Sequence, residues 1–123
     1  MKTILTPDAP QPIGPYSQAL AAGGTLYCSG QIALDPVTGA MCDGDVAAQT
    51  ERVCLNVAAV LKAAGCGFEN VVKTTCFITD MADFAAFNAV YQRYFVSAPA
   101  RSCVAAKQLP KNALVEIEVI AMS

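Results

Sequence analysis

The chain has 123 residues, 54% of them hydrophobic and 15% charged, with a formal net charge of −2. That length holds one hydrophobic core and is too short for two, so one domain is expected over residues 1–123. The absence of histidine excludes histidine general bases, most zinc sites and every Ser-His or Cys-His nucleophile pair.

Residues 2–5 form the first strand candidate, and Pro7 breaks the N-terminal stretch before it can serve as a signal peptide. Pro7, Pro10, Pro12 and Pro15 follow, fixing φ and removing donors, so this passage reads as ordered coil rather than sheet. Tyr16 stands between that coil and a strand over residues 17–22, either as a core ring or with its hydroxyl aimed into a pocket. Gly23-Gly24 supplies a hairpin turn into residues 26–32, where Gly30 inside a strand pattern signals a bulge or a close backbone approach. Residues 35–39 form a further turn.

From Asp45 to Ala64 the period changes to that of a helix, with Val46, Val53, Val57, Val60, Leu61 and Ala64 on one face. Asp45 can cap its start and Gly65 can end it in the left-handed region. Residues 71–78 are β-branched and read as a central strand. Thr79 or Asp80 then caps a second helix, which has Asp83 in its first turn and is stopped by Pro99. Phe84, Phe87, Tyr91, Tyr94 and Phe95 give it an apolar face, and Asn88 is either a solvent amide or a polar group facing a site.

Arg101 opens an alternating strand whose one face carries Arg101, Cys103 and Ala105. Leu109-Pro110-Lys111-Asn112 reads as the turn of a hairpin leading into a return strand. There Leu114, Glu116, Glu118 and Ile120 share a face, so one of these carboxylates is expected near the guanidinium. A half-buried charge in a strand is costly unless paired or used. The pair is therefore either a surface ion pair or part of a ligand site, and a guanidinium is the side chain shaped to hold a carboxylate through two parallel hydrogen bonds. The element order gives an α+β fold, two helices on one face of a mixed six-stranded sheet.

The basic residues are scattered, which disfavours nucleic acid as the main partner. No stretch reaches the roughly 18 apolar residues that a membrane span needs, and a cytoplasmic location is expected. The six cysteines lack C-x-x-C spacing and read as small core residues rather than a disulfide framework. With so few charges, part of the apolar surface is expected to lie against other copies of the chain.

Several blocks, in order along nearly the whole chain, resemble the RidA/YjgF family of enamine/imine deaminases. They are Ile13-Gly14-Pro15-Tyr16-Ser17-Gln18, Ser29-Gly30-Gln31-Ile32, Val72-Lys73-Thr74-Thr75-Cys76-Phe77-Ile78, Asp83-Phe84, Asn88 with Tyr91, Pro99-Ala100-Arg101-Ser102-Cys103-Val104, Leu109-Pro110-Lys111 and Val115-Glu116-Ile117-Glu118. The resemblance implies the YjgF-like, chorismate-mutase-like fold and a homotrimer, with the sheets forming a central barrel and three clefts between subunits. It implies hydrolysis of short-lived enamines and imines released by pyridoxal-phosphate-dependent dehydratases, giving 2-oxo acids and ammonia without cofactor or metal.

Carried onto this chain, the family's pattern makes Arg101 the holder of the substrate carboxylate, helped by a backbone N–H near Cys103. Glu116 holds and activates water, Tyr16 closes the cleft near the reacting nitrogen, and Ser29, Gly30 and Asn88 shape the walls. Glu116 rather than Glu118 follows from the family's spacing, which periodicity alone does not resolve. One departure is the segment between Asn88 and Arg101, a few residues shorter than is usual in the family. Rival readings are a carboxylate-binding sensor that needs no Glu116, a ribonuclease or translation inhibitor, and a thiol-dependent holdase.

Overall fold

A computed structural model describes residues 1–123. Six strands and two helices follow the order β1 (Lys2–Ile4), β2 (Ala19–Ala22), β3 (Thr25–Gln31), α1 (Val46–Ala63), β4 (Val71–Ile78), α2 (Phe84–Tyr94), β5 (Ala100–Ala105) and β6 (Val115–Met122). The strands make one mixed sheet in the order β1-β2-β3-β6-β4-β5, in which only β4 and β5 run parallel.

Local chemistry accounts for the element ends. The Asp45 carboxylate accepts the Ala48 N–H and caps α1, and Gly65 takes φ 75° just past its end. Asp80 caps a single 3₁₀ turn, Met81–Asp83, from which α2 starts. That helix stops at Tyr94, short of Pro99, because Phe95 leaves the helical region and buries its ring against Tyr91 and Phe68, centroids 4.3 and 5.0 Å away. Gly23 and Gly24 both take positive φ in the β2–β3 turn, as the Gly-Gly pair requires.

Both helices lie on one side of the sheet. The core fills the space between them with Val53, Val57, Val60 and Leu61 of α1 and Phe87 of α2, against Leu26, Cys76, Ile78, Val115, Ile117 and Val119 of the strands. Three polar residues also sit in the buried face of α1, and each is satisfied. Thr50 donates back to the Val46 carbonyl; Gln49 accepts the Leu114 N–H and donates to the Cys42 carbonyl; Asn56 donates to the Ile32 and Leu34 carbonyls. A periodicity that marks polar residues as outward-facing passes over such amides, which tie loops to the helix. No helix is long and apolar enough to cross a membrane.

The expected hairpin between β5 and β6 does not form. β4 lies between them, pairing parallel with β5 and antiparallel with β6, and Leu109–Asn112 belongs to a crossover with a 3₁₀ turn at Pro110–Asn112. β6 alternates fully buried Val115, Ile117, Val119 and Ala121, and so takes the centre of the sheet; the mostly exposed β5 takes the edge. Arg101 and Glu116 are consequently not cross-strand neighbours.

The other side of the sheet carries no helix, and beyond the end that the N-terminal segment and the Leu109 turn cover it is open. Tyr27, Val104 and Met122 are exposed there beside Lys73, Thr75 and Glu118.

Candidate functional site

The strand register fixes where the two charges go. Arg101 is the partner of Thr74 on β4, whereas Glu116 is the partner of Phe77, an odd number of residues away. Successive strand residues point to opposite faces. Arg101 therefore projects on the helix side with Thr74 and Cys76, and Glu116 on the open side.

On the helix side, the guanidinium of Arg101 is held entirely by neutral groups. Its Nη1 donates to Asn88 Oδ1 at 2.7 Å. Its Cζ lies 4.8 Å from the Tyr91 ring centroid, 5.4 Å from Phe84 and 6.0 Å from Phe87. Tyr91 is itself pinned, its hydroxyl 2.8 Å from the buried Thr74 Oγ1. The spacing of residues 84, 87, 88 and 91 stacks these groups on one face of α2, so the helix presents a ready-made box to the edge strand. The aromatic stripe that reads in sequence as plain core is thus also the seat of a cation. The chain's one ion pair joins Arg93 to Glu51, leaving Arg101 without a carboxylate of its own. Asn88, Tyr91, Gln92, Ala98, Pro99 and Arg101 line an open hollow of about 450 Å³. Ala98 carries a positive φ of 48°, a conformation costly for a side chain, in the short segment that delivers the chain to β5.

On the open side, Glu116 lines a cavity of about 350 Å³ together with Tyr16, Ser29, Gly30, Glu118, Ile32 and Pro110, among others. The bulge expected at Gly30 is present. β3 carries one extra residue against β6 between the pairs Cys28–Val119 and Gln31–Ile117. A β-carbon on Gly30 would stand 2.8 Å from Glu116 Cδ, so the missing side chain is what lets the carboxylate lie against the backbone. Burial, and then the like charge of Glu118, push the Glu116 carboxyl above its ordinary range.

Tyr16 is exposed rather than a core ring, and its hydroxyl accepts the Ile13 N–H at 3.3 Å. Ser29 donates to the Ser17 carbonyl at 2.6 Å.

The residues singled out in the sequence therefore fall into two groups. Tyr16, Ser29, Gly30 and Glu116 share one cavity; Asn88 and Arg101 share the other hollow. Cys103 follows Arg101 on the helix-facing side of β5 and lines neither. Burial pushes its thiol up, only partly offset by Arg101, which disfavours a reactive thiolate. As the edge strand, β5 leaves half of its backbone donors unpaired within the chain. Each of the two hollows thus offers one charge and lacks the opposite one.

A family model described as endoribonuclease L-PSP matches residues 6–123. A RutC family protein of Synechocystis is 57% identical over 99% of this chain and 96% of its own. A bovine protein named 2-iminobutanoate/2-iminopropanoate deaminase is 47% identical over 98% of this chain and 89% of its own. The crystal structure of E. coli TdcF with bound serine superposes with a TM-score of 0.95 at 42% identity, covering 100% of this chain and 99% of that one.

Proposed function

The chain belongs to the RidA/YjgF family, whose matching model is described as endoribonuclease L-PSP, and from that premise we propose that it hydrolyses enamine and imine intermediates of the 2-aminoacrylate and 2-iminobutyrate type. The observation that carries this reading is the seat of Arg101. A guanidinium held by an amide and three rings, with no acid of its own, is arranged to receive a carboxylate from outside. The bovine relative's name specifies that substrate class, and the TdcF relative holds serine, a small amino acid.

In this reading Arg101 grips the substrate carboxylate through two parallel hydrogen bonds, and an unpaired N–H of the edge strand near Cys103 adds a third. The enamine tautomerises to the imine, whose carbon then stands beside Glu116. Water attacks that carbon, Glu116 takes the water proton, and a carbinolamine forms. That proton passes to nitrogen, the carbinolamine hydroxyl then gives its own proton through Glu116 to the same nitrogen, and ammonia leaves as the C–N bond breaks and the carbonyl forms. Burial, and then the charge of Glu118, raise the Glu116 carboxyl above its ordinary range, which makes the carboxylate a stronger base toward the water proton. Tyr16 hydrogen-bonds near the departing nitrogen, and Ser29, Gly30 and Asn88 shape the walls. Imines hydrolyse unaided, so modest stabilisation of the transition state suffices.

Since the two charges project from opposite faces of one sheet, the working cleft joins the Arg101 face of one copy to the Glu116 face of another. We infer a homotrimer in which the uncovered sheet faces, with Tyr27, Val104 and Met122, meet one another. A ribonuclease would need a concentrated basic surface, which a chain of net charge −2 with scattered Lys and Arg does not supply.

The test is to add the purified protein to a pyridoxal-phosphate-dependent threonine dehydratase reaction and follow 2-oxobutyrate. Acceleration that Arg101→Ala or Glu116→Ala removes supports the reading; no acceleration by the wild-type protein ends it. Light scattering at three chain masses is expected alongside.

A further inference from the structure

We infer that Gln18 is a positioning residue of the deaminase site, acting as the clamp that holds the Pro-rich N-terminal segment, and with it Tyr16, over the Glu116 cavity. The inference rests on the function proposed above.

Gln18 is 1% exposed, and its side-chain amide is saturated. Its Oε1 accepts the Thr6 N–H at 2.7 Å; its Nε2 donates to the carbonyls of Thr6 at 3.0 Å, Pro10 at 3.0 Å and Ala9 at 3.4 Å. A segment with four prolines has few backbone donors with which to join a sheet, and here one buried amide replaces that pairing. The held segment supplies Pro10, Gln11, Ile13 and Tyr16 to the cavity wall.

The backbone of Gln18 reaches the β3 wall as well. Its carbonyl accepts the Ser29 N–H at 2.9 Å, next to Gly30, on which the Glu116 carboxylate rests. One residue therefore ties the Tyr16 wall to the bulge that shapes the Glu116 seat. Gln18 also borders the cavity, but both N–H bonds of its amide are already engaged, so it acts on the reaction through Tyr16 and Gly30 rather than by donating to substrate. The other titratable groups on this cavity are Tyr16, Glu116 and Glu118.

Two variants test the inference, with imine generated in situ by an amino-acid oxidase and hydrogen exchange followed over residues 6–17. Gln18→Met keeps the length of the side chain and deletes all four hydrogen bonds. Gln18→Glu keeps the acceptor for Thr6 but, when ionised, turns an acceptor toward three carbonyls. For folded variants, kcat is expected to fall about tenfold or more, while KM stays within about twofold because the carboxylate grip lies on the Arg101 side. Exchange should quicken over residues 6–17 and not in α1 or α2. Relative to the wild-type protein at each pH, Gln18→Glu should recover as pH falls and its carboxyl regains a proton to donate.

If Gln18→Met does not fold by circular dichroism, Gln18→Glu at acid pH carries the test. Wild-type kcat in a folded variant overturns the inference, as does lost activity with unchanged exchange over residues 6–17. If the wild-type protein itself shows no deaminase activity, the function proposed above fails. Exchange then decides the clamp separately, selective quickening supporting it and no change overturning it.

Discussion

Arg101 is fixed by what surrounds it, and Glu116 by what is missing beside it. On the helix side, three rings and an amide converge on the guanidinium, and the hydroxyl of Tyr91 is anchored in turn on Thr74. On the open side, the carboxylate settles where Gly30 lacks a side chain, on a strand bulged to make the room. The first seat is stiff and neutral, suited to a ligand's fixed charge. The second is narrow and partly desolvated, suited to a group that must gain and lose a proton. The sheet keeps the two charges on opposite faces, and on the reading proposed above neither is a site alone until another copy brings them together.

Altering either charged group should have the largest effect. Arg101→Lys loses the two-pronged grip, and Glu116→Ala loses the base; each should lower kcat/KM in the coupled dehydratase assay by about a hundredfold or more. A variant retaining wild-type rates would break the comparison on that side. Gly30→Ala probes the carboxylate seat more finely. The atoms a new methyl would meet are the movable end of Glu116, and Gly30 is not in the left-handed region, so the carboxylate should swing away while the fold survives. About a tenfold loss of kcat with stability within about 1 kcal/mol is expected, read by kinetics and thermal melting.

Asn88→Ala probes the other seat. It leaves the rings in place and deletes one charge-assisted hydrogen bond, so KM should rise about three- to tenfold with kcat nearly kept.

The smallest effect is on stability. A carboxyl raised in the folded protein favours its protonated form, so its contribution to stability is present below the ordinary carboxylate range and lost as pH rises through the raised value. Glu116→Gln should therefore melt slightly higher than the wild-type protein at neutral pH, and the gap should close in acid. A gap that widens in acid would contradict the desolvated seat.

Much of the secondary structure was legible in the chain. The periods of residues 46–63 and 71–78, the Asp45 cap, the Gly23-Gly24 turn and the bulge at Gly30 all follow from local rules. What local rules miss is pairing. Neighbouring strands in sequence default to a hairpin, and nothing in residues 100–122 reveals that β4 will separate them; the reason is the greater burial of β6, a property of the whole core. That error also placed Arg101 beside a glutamate. The grouping of Tyr16, Ser29, Gly30 and Glu116 came from family resemblance rather than periodicity. The buried amides of Gln18, Gln49 and Asn56 left no signal in the hydrophobic pattern, because their role is to satisfy loop backbone.

The claim that the site is shared between copies is tested most directly by mixing two inactive variants. Arg101→Ala keeps the Glu116 half intact, and Glu116→Ala keeps the Arg101 half. Co-expressed in equal amounts, they should assemble some clefts with both working halves and recover about a quarter of wild-type deaminase activity, the share expected for random mixing in a cyclic assembly. Mixed assemblies as inactive as either parent would contradict a cleft built from two chains.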